Sequence, residues 1–466
     1  MEAEIAVLRF GLGARPGDIA AASDPRAWLM RQLQGPIRLA SDQKLASSSE
    51  IFSGYLAARE ERQQMRRSAA AGDAQSAFNP VKEAYQPHYR AQVLARAQSA
   101  AATDTPFAER LVHFWSNHFA ISSDKGVVYG LAGTLENEAI RPNVNGRFYD
   151  LLLAVEQHPA MIQFLDNQAS AGADSLAATY IKRPFFDLGD KPARQLGINE
   201  NLAREILELH TLGVSGGYSQ KDVTTFAQVI TGWSVGGGKG RFAGGEPGKF
   251  YFRDGLHEPG AKTLLGKTYY ESGVRQGEAV LYDLSHHPST ARFLATKLAR
   301  HFIADDPPPA VVERLAKAYL KSGGDLPTLY KTLIDSKEAW NERQVKYKTP
   351  EDLVFSSFRA LNISPAQPEE VVKSFELLGQ RQYTPGSPAG WPDSAKSWDG
   401  SDALMHRVLF ASRLAARYER GADPLDVASS SLGRYASGDT ITAVRRAASP
   451  AQGLALLLMS PEFQRR

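Results

Sequence analysis

Apolar residues recur every three and four positions through most of this 466-residue chain, and alternating apolar and polar runs are scarce. That spacing is the period of an amphipathic helix, so it restricts the chain to a mainly α-helical fold, a large multi-helix assembly. Start signals agree with the period. "SDP" opens a helix from Asp24 to Leu33, and "DTPFAERLVHFWSNHFA" carries Pro106 in its first turn. Further helices are expected near Ser49 to Arg67, Pro80 to Ala101, Val127 to Ile140, Phe148 to Leu165 and Asn199 to Gly213. Residues 235–270 break the pattern with many glycines and short "FYF" and "TLLG" runs, which predicts a small Gly-rich β-hairpin insert. Residues 68–80 and 167–197 read as loops, the second long enough to be functional or mobile. The chain divides into an N-terminal helical part (1–104), a central motif-bearing core (105–341) that includes the insert, and a C-terminal helical part (342–466), expected to pack as one unit.

Composition excludes several functions. With no cysteine there is no disulfide, no thiol nucleophile and no sulfur-ligated zinc, so any metal must be held by His, Asp and Glu. Lys plus Arg at 54 against Asp plus Glu at 51 leaves a net charge of +3, which gives no footprint for nucleic acid. The basic run "REERQQMRR" is interleaved with acids and reads as a solvated helix face. No apolar run approaches the ~20 residues that span a membrane. The first residues lack the pattern of a signal peptide, so the sequence as written reads as cytoplasmic, with export open to a form trimmed of a leader.

Familiar catalytic signatures fail. "GAKTLLGKTYY" has five residues between Gly260 and Gly266 where a phosphate loop needs four, and no helix pattern follows it. H-E-x-x-H and G-x-S-x-G are absent.

Polar residues on apolar helix faces are the strongest functional signal. His118 lies four residues after Phe114 and seven after Leu111, and Glu138 three after Leu135 and seven after Leu131. Glu205 lies three after Leu202 and four before Leu209, and His210 four after Ile206. By the same geometry His113, Glu109 and Glu136 face the polar side. An unpaired buried carboxylate costs several kcal/mol or shifts its pKa, so the inward groups need partners. They either converge on a metal or substrate pocket, with Glu208 contributing, or form a structural network with Arg141, Arg147, Arg183 or Arg204. His257 flanks a Pro-Gly turn of the insert and has no core role from sequence.

The same residues carry a family likeness. "FWSNHF", "ENEAIRP", "GRFYDLLLAVEQHPAMIQFLDN", "INENLAREILELHTLGVSGGYSQKDV", "TGW", "HEPGAKTLLG", "KLARHF", "AGWP" and "SPEFQRR", in that order, resemble the bacterial domain-of-unknown-function 1800 family. The likeness runs from "LRFGLGARP" to the last residues. It implies little about activity. It does imply membership in a group whose proteins often look exported and sit beside a second family resembling sulfatases. His118, Glu138, Asn199, Glu200, Glu205, Glu208, His210, Gly217 and His257 fall in its motifs.

Two functions are expected. The first is an enzyme with a buried Glu/His site, a hydrolase that a divalent metal (Mn, Fe or Zn) could assist, acting on a small molecule or polymer. Glu205, Glu208 and His257 would be catalytic, and His118, Glu138 and His210 would be ligands. The second is a binding or assembly protein, with a protein partner, whose inward polar groups only fix helix register. The enzyme reading expects at least three of Glu205, His210, Glu138 and His118 within about 8 Å of one another, near enough to share an ion or a water.

Overall fold

The computed structural model describes residues 1–68, 79–181, 197–238 and 241–466. Parts of both expected loops, residues 69–78 and 182–196, lie outside the described residues.

The chain is mainly helical. Its helices begin where side chains supply what the first backbone N–H groups lack. Asp24 caps Pro25–Arg31, and Ser219 and Thr349 form reciprocal capping boxes with Asp222 and Asp352. His158 and His287, each before a proline, accept from Ala160 N–H and Ser289 N–H at 3.1 Å, which breaks the expected 148–165 helix into Phe148–Glu156 and Pro159–Phe164. The glycine-rich insert forms two short antiparallel pairs: Trp233–Val235 with Phe250–Phe252, and Lys262–Leu264 with Lys267–Tyr269.

Two apolar cores hold the helices. One runs from Ile5 to Trp340 and contains Phe107, Trp115, Phe119, Phe148, Phe302 and Tyr330. The other joins Val93, Leu94 and Ala97 of the Pro80–Ala102 helix to Phe355, Phe358, Phe375, Phe410 and Leu454. Tyr383 and Tyr435 pack against both. The first residues and the C-terminal segments therefore meet in space, as hydrophobic burial across distant segments requires. No helix among the described residues is long and apolar enough to cross a membrane.

Among the described residues three helices contain wide π turns, at Ala6–Phe10, Leu135–Ile140 and Ile206–Thr211. A π turn bonds residue i to i+5 and so changes the phase of the residues beyond it. The helix expected from Val127 starts at Ala132 and enters its π turn at Leu135, which matters for Glu136 and Glu138.

Arg359 ties the segments together. Its buried guanidinium donates to the carbonyls of Gly13 (2.7 Å), Ala100 (3.0 Å) and Thr103 (3.2 Å), and to Asp18 Oδ2 (2.6 Å). Arg359→Met removes the donor to those carbonyls, while Asp18 keeps Arg15 at 3.3 Å, so chemical unfolding should show a loss of about 1–3 kcal/mol. A loss under about 1 kcal/mol would mean that the clamp is incidental.

Candidate functional site

The Pro106–His118 helix is buried almost all round, so the one-sided pattern read from its sequence does not hold. Glu109 and His113, expected outward, are both inside, and Glu109 meets an opposite charge there. Arg141 grips Glu109 with both Nη atoms, at 2.5 and 2.9 Å. Burial alone would raise the Glu109 carboxyl, but Arg141 outweighs it and holds it far below the usual carboxylate range. Arg110 donates to Gly11 O (2.6 Å) and pairs with Asp352 at 2.7 Å, and Arg466 reaches the same carboxylate at 3.0 Å. Arg96 bridges Glu136 (2.9 Å) and Glu351 (2.5 Å). Glu136 and Glu138 exchange the places expected of them: the Glu136 side chain is 1% exposed and that of Glu138 30%, because the π turn rotates the helix there.

Beside this network lies a cavity of about 270 Å³, between the Pro106–His118, Pro288–Phe302 and Pro350–Ala360 helices and the loop at 380–393. Asn117 fastens the loop by accepting from Trp391 N–H (2.7 Å) and donating to Trp391 O (2.9 Å). Gly390 sits at φ +82°, where a Cβ would stand 2.3 Å from Asn117 O, so only glycine fits. Asp393 accepts from His301 Nδ1 at 2.7 Å and faces Lys346 Nζ at 3.3 Å. Arg110 Nη1 stands 3.4 Å from His301 Nε2, so the second ring nitrogen is engaged as well. Burial, partly offset by Asp393, brings His301 down to about 4.

The wall's charges are not evenly matched. Its four carboxylates, Glu136, Glu351, Asp352 and Asp393, all pair with buried cations. Lys297 and Arg300 also line the cavity, and no carboxylate of the described residues comes within ion-pair distance of either. Lys297 is half-buried, 5.5 Å from the Phe293 ring. Burial lowers its amine to about 8; Asp393 opposes that shift and Arg300 adds to it. His118 donates Nε2–H to His210 O at 3.1 Å, and Nδ1 of the ring is buried with no hydrogen-bond partner among the described residues. Burial, Lys297 and His210 push its pKa well down, so the ring is neutral and Nδ1 holds a free lone pair.

The residues singled out from sequence fall into three places. His118 and His210 meet, with ring centroids 6.3 Å apart, and Glu205 lies within electrostatic reach of His210, Glu208 and Glu156. His210 Nδ1 bonds Glu156 at 2.8 Å, and Glu208 accepts from Tyr218 at 3.3 Å. Glu138 is held elsewhere: it accepts from Ser48 N–H and Oγ–H, both at 2.7 Å, and faces His158 at 3.6 Å. His257 donates from Nδ1 to Thr231 O (3.0 Å) and turns Nε2 to Glu271 (3.3 Å), anchoring the insert. Glu138, taken up by Ser48 and His158, does not join His118 and His210 in a ligand set for Mn, Fe or Zn. Among the described residues no cluster of three or more His, Asp or Glu side chains could hold a metal.

A family model described as "Protein of unknown function (DUF1800)" matches residues 5–465. The chain belongs to this family. No curated protein and no solved structure matches it. In this DUF1800 chain, "FWSNHF", "KLARHF", "AGWP" and "SPEFQRR" meet around the cavity, supplying Asn117 and His118, Lys297 and Arg300, Trp391, and Arg466. Sequence reasoning passed over Lys297, Arg300, Asp352, Asp393 and Glu156. Lys297 was within reach of it, since it stands three residues after Leu294 and four before His301. The rule that selected His118 selects it too, but lysine ordinarily faces solvent.

Glu205 and Glu138 should respond oppositely to neutralisation. Burial raises the Glu205 carboxyl, so the charged form is disfavoured in the fold, and stability is lost as pH rises through its range. Glu205→Gln should fold as well as the parent or better at pH 7. Burial would also raise Glu138, but His158 and Ser48 outweigh it and hold the group down to about 2. Its contribution is present above the ordinary glutamate range and is lost as pH falls toward that value. Glu138→Gln should cost about 1–3 kcal/mol at neutral pH. Equal thermal stability of the two variants would contradict this division.

Proposed function

We propose that the protein is an enzyme acting on a small molecule that carries an anionic group, bound in the 270 Å³ cavity. The observation that carries the reading is the pair Lys297 and Arg300, cations on the cavity wall without a carboxylate partner among the described residues. An ammonium kept half out of water without a counter-ion is costly, and a bound anion removes that cost. The volume lies near the lower end of small-molecule pockets, so the substrate is small.

Acid–base chemistry has its groups in place. His118 Nδ1 is a neutral proton acceptor, and the Lys297 amine titrates close to neutral pH. His301 is held by Asp393 and Arg110 and serves the wall. Glu205, within electrostatic reach of His210 and Glu208, belongs with Glu208 to a second polar group that does not line the cavity. Hydrolysis is one reaction class open to such a site. The alternative, a binding or assembly protein with a structural polar network, draws on the full pairing of the wall carboxylates. It leaves Lys297 and Arg300 without a role.

Thermal unfolding separates the two. Potassium phosphate or citrate should raise the Tm above that in potassium chloride of equal ionic strength, with about 2.7 kcal/mol of stabilisation at an anion concentration near 100 times Kd. Arg300→Gln, at an exposed position, should keep the fold and lose most of the rise. No rise, or a rise unchanged in Arg300→Gln, would overturn the reading.

A further inference from the structure

The two unpaired cations differ in kind. Arg300 is a permanent cation at the exposed side of the cavity, its Nε donating to Asp305 O at 3.0 Å. Lys297 is an amine set deeper, against the Phe293 ring and beside a histidine with an open nitrogen. We propose that Lys297 is a nucleophile that captures the carbonyl carbon of an anionic carbonyl compound, an oxo acid or an aldehyde acid, while Arg300 holds the anionic group. The proposal rests on the anion-binding reading above and names its substrate class.

The geometry favours a nucleophile in three respects. A lysine that serves only as a charge is normally met by a carboxylate, yet Asp393, the anion that acts on Lys297, is already engaged by His301 and Lys346. Second, burial disfavours the ammonium and Arg300 adds to that effect, against the pull of Asp393. With the amine near 8, roughly a tenth is neutral at pH 7, far more than for an ordinary lysine. Third, a proton acceptor is at hand, since Lys297 and His118 line the same cavity and act on one another electrostatically.

The step balances without an oxidant or reductant. The neutral amine of Lys297 adds its lone pair to the carbonyl carbon, forming a C–N bond as the C=O π bond opens onto oxygen. The proton shed by nitrogen passes through His118 Nδ1 to that oxygen, giving a carbinolamine. Protonation of the hydroxyl then lets the C–O bond break. Water leaves, the nitrogen lone pair forms the C=N bond, and a protonated imine joins Lys297 to the substrate; loss of its N–H proton to solvent, which replaces the one spent on the hydroxyl, leaves the neutral imine.

Reductive trapping tests this. The full-length protein is incubated with sodium cyanoborohydride and glyoxylate, with acetaldehyde as the uncharged control, and adducts are located by peptide mapping. Glyoxylate should label Lys297 ahead of the exposed Lys221, Lys267, Lys317 and Lys331, and phosphate should slow that labelling. Acetaldehyde should show no such preference. Lys297→Arg and Lys297→Met should both lose the fast adduct while keeping the parent circular dichroism spectrum. Adducts spread over exposed lysines with Lys297 unmodified would overturn the proposal. If Lys297 stays unmodified while the anion-dependent Tm rise persists, the imine is refuted and the binding reading stands. If the rise is absent too, both fall.

Discussion

The Pro106–His118 helix can be buried on nearly every side only because its charged residues meet opposite charges from distant segments. Removing an ion from water costs several kcal/mol, and only close geometry with further hydrogen bonds recovers it. Glu109 has Arg141; Arg110 has Asp352 and the Gly11 carbonyl; Asp352 also has Arg466. Glu136, one helix away, has Arg96, which is shared with Glu351. Each pair joins segments far apart in sequence, so the packing of the central helix fixes where the first residues, the Pro80–Ala102 helix and the C-terminal segment lie.

The cavity follows from that arrangement. Charged side chains cannot close around one another as aliphatic ones do, and the space beside them is walled by these groups together with apolar residues such as Phe114, Ile121 and Phe355, and covered by the loop at 380–393. Within the wall the anions are all paired and two cations are not. That asymmetry sets the cavity wall apart from the fully paired network beside it. Lys348 is buried without a carboxylate of the described residues at ion-pair distance too, but it donates to Ser356 Oγ at 2.9 Å and does not line the cavity.

The fold class was legible because it depends on a period and on local caps, as at Ser219 and Thr349, which act within four residues. The facing of individual residues was less so. A projection at 3.6 residues per turn placed Glu138 inward and Glu136 outward, and the π turn at Leu135–Ile140 reversed them. Glu109 and His113 were misplaced for another reason: helical phase cannot show that a polar face is also covered, here through Arg141 and Glu351. Of the candidate site, His118 was legible and lines the cavity. Its companions were not, because partners such as Asp352 and Arg466, 114 residues apart, are joined by tertiary packing that no local pattern encodes.

The cavity is proposed to hold an anion at Lys297 and Arg300. A crystal structure of the protein soaked in sodium bromide measures this directly, because bromide scatters anomalously and takes the place of any small anion. An anomalous peak is expected inside the cavity, in contact with Lys297 Nζ and on the side facing Arg300, and it should fade when citrate is added. A cavity holding only water, with Lys297 Nζ paired to Asp393, would contradict it.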